Sequence, residues 1–215
     1  MRKLLMATAL AVVLPVAAAN AALITSFAQE SGSNTITSTN NGAGVTTIDT
    51  TGALVTLGGG LFNVSGVNFD LSATSTDTAV LVGTSVIQHY SGNFCISSGA
   101  GCTGSFLSGT FTDAAFGANG GPGLTVNVNN PPESLALASN VLPASELQPP
   151  SSFNLTFVNL SAPLGIVGGS IDSFTASFTG DISASAANVP EPTTMAVLGM
   201  GMLGLGMVRA RRRRE

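Results

Sequence analysis

Residues 153–157 read Phe-Asn-Leu-Thr-Phe, and residues 174–179 read Phe-Thr-Ala-Ser-Phe-Thr. In both, every second side chain is apolar and the ones between are small and polar. A period of two is that of a β-strand with one buried and one wetted face. The pattern recurs outward along the chain, with Val67, Phe69 and Leu71 set around Asn68 and Asp70, and Leu124, Val126 and Val128 around Thr125 and Asn127. Thr78 to Tyr90 is more evenly apolar and reads as a central strand. Turn signals separate the runs: Gly58-Gly59-Gly60, Ser65-Gly66, Ser91-Gly92-Asn93, Asn119 to Gly123, Asn130-Pro131-Pro132, Gln148-Pro149-Pro150 and Gly168-Gly169. Roughly nine to eleven short strands with such punctuation predict an all-β fold, a single antiparallel β-sandwich of which a jelly roll is one form. No repeat of fixed period is present, which weighs against a solenoid.

Charge is scarce and unevenly placed. Only 8% of the 215 residues are charged, and all seven bases lie at the ends: Arg2, Lys3, Arg209 and Arg211 to Arg214. Residues 22–189 hold nine acids and no Lys or Arg, a body near −9 inside a chain of formal charge −4. Such a body has no cation with which to neutralise phosphates, so nucleic acid is excluded as a partner of this part.

The ends read as addresses. Arg2 and Lys3 precede an apolar stretch, Leu4 to Val16, and then small residues in which Ala19-Asn20-Ala21 fits a signal-peptidase site. Residues 1–21 are expected to be a signal peptide, a helix handled by the secretion translocon and cut after Ala21. At the other end, Val189-Pro190-Glu191-Pro192 leads into an apolar run from Met195 to Val208, followed by Arg209, Arg211, Arg212, Arg213 and Arg214. Fourteen apolar residues make about 21 Å of helix, short of a ~30 Å hydrocarbon core. The arginines favour a membrane reading, because they stop transfer on the cytoplasmic side and snorkel to lengthen a short span, here 193–208. Pro190 and Pro192 forbid helix and hold an extended segment outside it.

The order Val-Pro-Glu-Pro, short Gly/Leu/Met span and arginine cluster resembles the PEP-CTERM sorting signal, a tail also labelled an ice-binding protein C-terminal domain. The resemblance implies export from a Gram-negative bacterium and an inner-membrane-tethered intermediate. It implies processing by an exosortase, then delivery to the cell surface or the exopolysaccharide matrix. It covers 189–214 and does not speak for the rest.

Between the addresses, residues 22–44 read as a polar N-terminal segment, 45–182 as the ectodomain and 183–188 as a linker. Cys95 and Cys102 enclose a glycine-bearing loop and, in an exported chain, read as a disulfide worth roughly 2 to 2.5 kcal/mol in the loop-entropy model. Against a metal or redox pair, C-x6-C is not a redox spacing. His89, the one histidine, would be the base of a Ser-His-Asp hydrolase, yet no Gly-x-Ser-x-Gly elbow accompanies it. Tyr90 is expected to pack. Paired carboxylates could hydrolyse glycosides, but the aromatic platforms of sugar sites are missing: no Trp and one Tyr. Asp49, Asp70, Asp77 and Asp113 are isolated Ca2+ candidates without an EF-hand pattern, and surface charge competes with that reading. Thr35-Ile-Thr-Ser-Thr39 looks like one rung of an ice-binding face, against a plain polar strand. The expectation is a non-enzymatic structural or adhesive protein of the biofilm matrix, without catalytic residues, metal or cofactor. Its rivals are a neutral-polysaccharide-binding module and an extracellular hydrolase.

Overall fold

The computed structural model describes residues 21–117 and 121–185. Its strands are β1 (Ala22–Gln29), β2 (Ile36–Asn40), β3 (Thr46–Gly58), β4 (Val64–Ser75), β5 (Val80–Val82), β6 (Ser85–Gly99) and β7 (Thr103–Phe116). They continue as β8 (Gly123–Asn127), β9 (Ser134–Ser139), β10 (Gln148–Val158), β11 (Ile166–Val167), β12 (Ser170–Ile171) and β13 (Phe174–Ser185). The described residues are therefore all-β, and every pairing is antiparallel.

The sandwich expectation is corrected to a barrel. Following the pairings gives β1–β3, β3–β4, β4–β6, β6–β7, β7–β8, β8–β10, β10–β13, and then β13 back to β1. The ring is an up-and-down meander of eight staves. Alternation shows that each strand buries one face. It cannot show whether first and last strands meet, as they do here through Phe27 opposite Gly180 and Ala28 opposite Thr179.

Three staves are interrupted. β1 and β2 lie in succession along β3, with Phe27 opposite Leu57 and Ser38 opposite Ile48, and residues 30–35 break them. β4 and β5 follow each other along β6, with Ser75 opposite Tyr90 and Val80 opposite Ile87. β8 and β9 do the same along β7, with Phe116 opposite Leu124 and Leu107 opposite Ser139.

Other boundaries also move. Thr78 to Tyr90 is not one strand but a hairpin, because Gly83 takes φ +63° between β5 and β6. Residues 22–44 are not a loose prelude: Ile24, Phe27 and Ile36 are core residues of the first stave. The expected linker loses its first three residues to β13, where Ala184 and Ser185 are buried.

Nine of the eleven phenylalanines fill the interior: residues 27, 69, 94, 111, 116, 153, 157, 174 and 178. Phe94 stacks on Phe153 with centroids 4.2 Å apart, and Phe69 lies between Phe27 at 5.0 Å and Phe178 at 5.2 Å. Two glycines make room for rings: a Cβ at Gly109 would strike Phe94, and one at Gly180 would strike Phe27. The outward positions are mainly Thr, Ser and Asn, so this barrel is apolar inside and wetted outside, the reverse of a lipid-facing barrel.

One rim is covered by the β11–β12 hairpin, whose Ile171 is fully buried. A polar network seats it. Gln88 Nε2 donates to Ser170 Oγ at 2.7 Å and to the Asp77 carbonyl at 2.8 Å. Gln88 Oε1 accepts from the Ile171 N–H at 3.1 Å and the Tyr90 hydroxyl at 3.0 Å. Thr46 and Ser170 hydroxyls meet at 2.7 Å. Gln88 and Tyr90 are both fully buried, and burial pushes the Tyr90 hydroxyl pKa well above its ordinary value. The opposite rim carries the ends of the described body, with Ala22 paired to Ala184.

Candidate functional site

An acidic body without Lys or Arg must solvate its carboxylates with something other than ion pairs. Here backbone N–H groups serve, at the places where strands break or bulge. Asp77 lies in the β4–β5 break. Its Oδ1 accepts the His89 N–H at 2.8 Å, and its Oδ2 meets His89 Nδ1 at 2.6 Å. Glu30, which opens the β1–β2 break, accepts the Gly66 N–H at 2.7 Å and the Thr56 hydroxyl at 2.9 Å. Glu133, which ends the β8–β9 break, accepts the Asn127 N–H at 2.5 Å and Asn130 Nδ2 at 2.6 Å. Each acid receives a donor left over where the ladder is interrupted.

Asp70 does this beside the disulfide. Cys95 on β6 and Cys102 in the β6–β7 turn are bonded as expected, with Cα atoms 5.7 Å apart. Asp70, only 8% exposed, accepts the N–H groups of Gly52 at 2.8 Å, Gly101 at 3.2 Å and Cys102 at 3.4 Å. Bond and carboxylate together pin the turn, where Cys102 takes φ +62°. Asp70, Cys95 and Cys102 form the one three-residue grouping of metal-capable side chains among the described residues. Both sulfurs are committed to each other, so this grouping offers no thiolate. The four Ca2+ candidates are dispersed: Asp49 on β3, Asp70 on β4, Asp77 in a break and Asp113 in a β7 bulge at φ +59°.

His89 has an acid neighbour, as a hydrolase base would. The bond to Asp77 raises its pKa above 6.5, partial burial opposes this, and the charges of Asp77, Asp113 and Glu133 add to it. A raised pKa favours imidazolium, the form that cannot accept a proton. Both side chains are surface groups, 35% and 43% exposed.

The larger grooves on the barrel wall lie elsewhere. One of about 450 Å³ crosses β3, β1, β13 and β10, lined by Ser26, Thr56, Thr156, Thr179, Asp181 and the floor at Gly180. The ring in it, Phe27, is only 3% exposed and gives no stacking platform. Of Thr35 to Thr39, Thr35 ends the β1–β2 break and the rest lies on β2, with Ile36 and Ser38 inward and Thr37 and Thr39 outward, the alternation of a barrel strand.

Sequence reasoning found the disulfide and His89 but not the acid–amide bonds. Glu30, Asp77 and Glu133 do stand between alternating runs in a body with no Lys or Arg to pair with, but the backbone donors that meet them are not marked in the sequence.

The signal-cleavage residues Ala19 and the arginines and prolines of the tail fall outside the described residues, as do the two expected flanking helices; Ala21 is the first residue described. No helix among the described residues is long and apolar enough to cross a membrane. No curated protein and no solved structure matches the chain. A family model does match its last part, directly after the final stave: residues 188–214 are a PEP-CTERM protein-sorting motif.

Proposed function

We propose that this is a structural or adhesive protein of the exopolysaccharide or biofilm matrix, carried outward by its sorting motif and acting without catalysis. The motif marks the chain as exported and sorted to the surface by an exosortase. The single observation behind the reading is its position: matched residues 188–214 begin three residues beyond Ser185, the end of a self-contained barrel. In this reading signal peptidase frees β1 at Ala22, and Pro190, Glu191 and Pro192 present the tail for cutting. The 193–208 span with its arginines holds a brief inner-membrane intermediate in a Gram-negative cell. The barrel then stays outside as a disulfide-pinned, acidic, hydroxyl-rich body. Deleting residues 190–215 tests this: the protein should no longer be retained and processed at the membrane, and unchanged processing and surface delivery would overturn it.

A second reading, neutral-polysaccharide binding, draws support from the threonine-lined groove beside Asp181. Cosedimentation with insoluble neutral glucan, lost on Thr156→Ala with Thr179→Ala, would favour it.

A further inference from the structure

We infer that the rim bearing the chain ends rests on a phospholipid bilayer while the protein is tethered, through Leu23, Leu61, Phe62 and Val64. The inference builds on the reading of residues 193–208 as a membrane span. Ser185 closes β13 at that rim, and only residues 186–192 separate it from the 193–208 span. Seven residues reach at most roughly 25 Å. The opposite rim, with Val80, Leu81 and Val82, stands at the far end of staves such as the 12-residue β4. A strand of that length runs roughly 30–40 Å, so that rim lies beyond the tether's reach when the near rim faces the membrane.

The near rim suits a lipid surface. The β3–β4 turn leans on β1, with the Leu61 N–H donating to the Ile24 carbonyl at 2.7 Å and Gly59 beside the Leu23 side chain. Leu57 is opposite Val64 at the base of the turn. Leu61 is 56% exposed and Leu23 and Val64 are each 42% exposed, so three aliphatic side chains crowd one projecting edge with Phe62 partly buried among the core contacts. The acids are spread over both halves: Asp49, Asp77, Asp113, Glu133 and Asp172 lie toward the hairpin-covered rim, while Glu146, Asp181, Glu30 on the Gly66 N–H and Asp70 on the Gly101 and Cys102 N–H groups lie toward the terminal one. The projecting turn itself, residues 57–65, carries no acid. Anionic headgroups repel acids, and the body has no Lys or Arg to offset them, so apolar insertion is the contact this surface can make.

The test uses the full chain, Cys95–Cys102 bond intact, reconstituted in vesicles of phosphatidylethanolamine with a minority of phosphatidylglycerol. Leu61→Cys and, as the far-rim control, Thr84→Cys carry an environment-sensitive fluorophore, and the lipid tails carry nitroxide quenchers near the headgroups. The expected result is at least about a twofold loss of emission at position 61 and none at 84. A chain that floats with the vesicles but shows no quenching at 61, or equal quenching at both, overturns the docking and leaves the span standing. A chain that does not float overturns the span reading and the docking with it.

Discussion

At the scale of single residues, the carboxylates are structural acceptors. Replacing Asp70 by Asn keeps the shape but turns an amide donor toward the N–H groups of Gly52, Gly101 and Cys102. We expect a loss of about 1–3 kcal/mol, seen as a lower urea midpoint at unchanged slope. An unchanged midpoint would show that water replaces the carboxylate. His89 makes a second test. Its folded pKa lies above 6.5, so the stability it contributes is complete below pH 6.5 and lost as pH rises through the folded value. NMR titration should place the wild-type imidazole above 6.5 and return it toward 6.5 in Asp77→Asn. The stabilities of the two proteins should converge as pH rises. A variant that titrates like wild type would remove Asp77 as the cause.

At the scale of elements, ring-on-glycine packing decides where the strands can close. Gly180 sits at the junction of β13 and β1, under the Phe27 ring and against the Asn154 carbonyl. Gly180→Ala must push one of them away, at about 1–3 kcal/mol by chemical denaturation. A neutral result would mean that the junction is loose. Strand identity was legible because Phe153, Leu155 and Phe157 alternate so regularly. Closure was not, because it depends on how Phe27 and Gly180 meet across nearly the whole chain. Residues 22–44 misled for a simpler reason: Ile24, Phe27 and Ile36 are too few to stand out among serines and threonines. The disulfide was readable because the two cysteines had only each other. The partners of Asp70 and Asp77 were not, since a backbone donor carries no mark in the sequence.

At the scale of the whole molecule, nine acids without a Lys or Arg make the barrel self-repelling. Added sodium chloride should therefore raise its melting temperature between low and physiological ionic strength, as the Debye length shrinks to about 8 Å. A flat salt response would show that the acid–amide bonds already absorb the repulsion. The same charge pattern separates the body from its disposable ends, since every arginine and lysine lies in a segment expected to be removed. The central claim is that the motif at 188–214 is used. Its most direct test is mass spectrometry of the protein recovered outside the cell, reading both termini. We predict a chain that begins at Ala22 and ends before Met195, without the apolar run and the arginines. A released chain still carrying Arg209 to Arg214 would contradict the account.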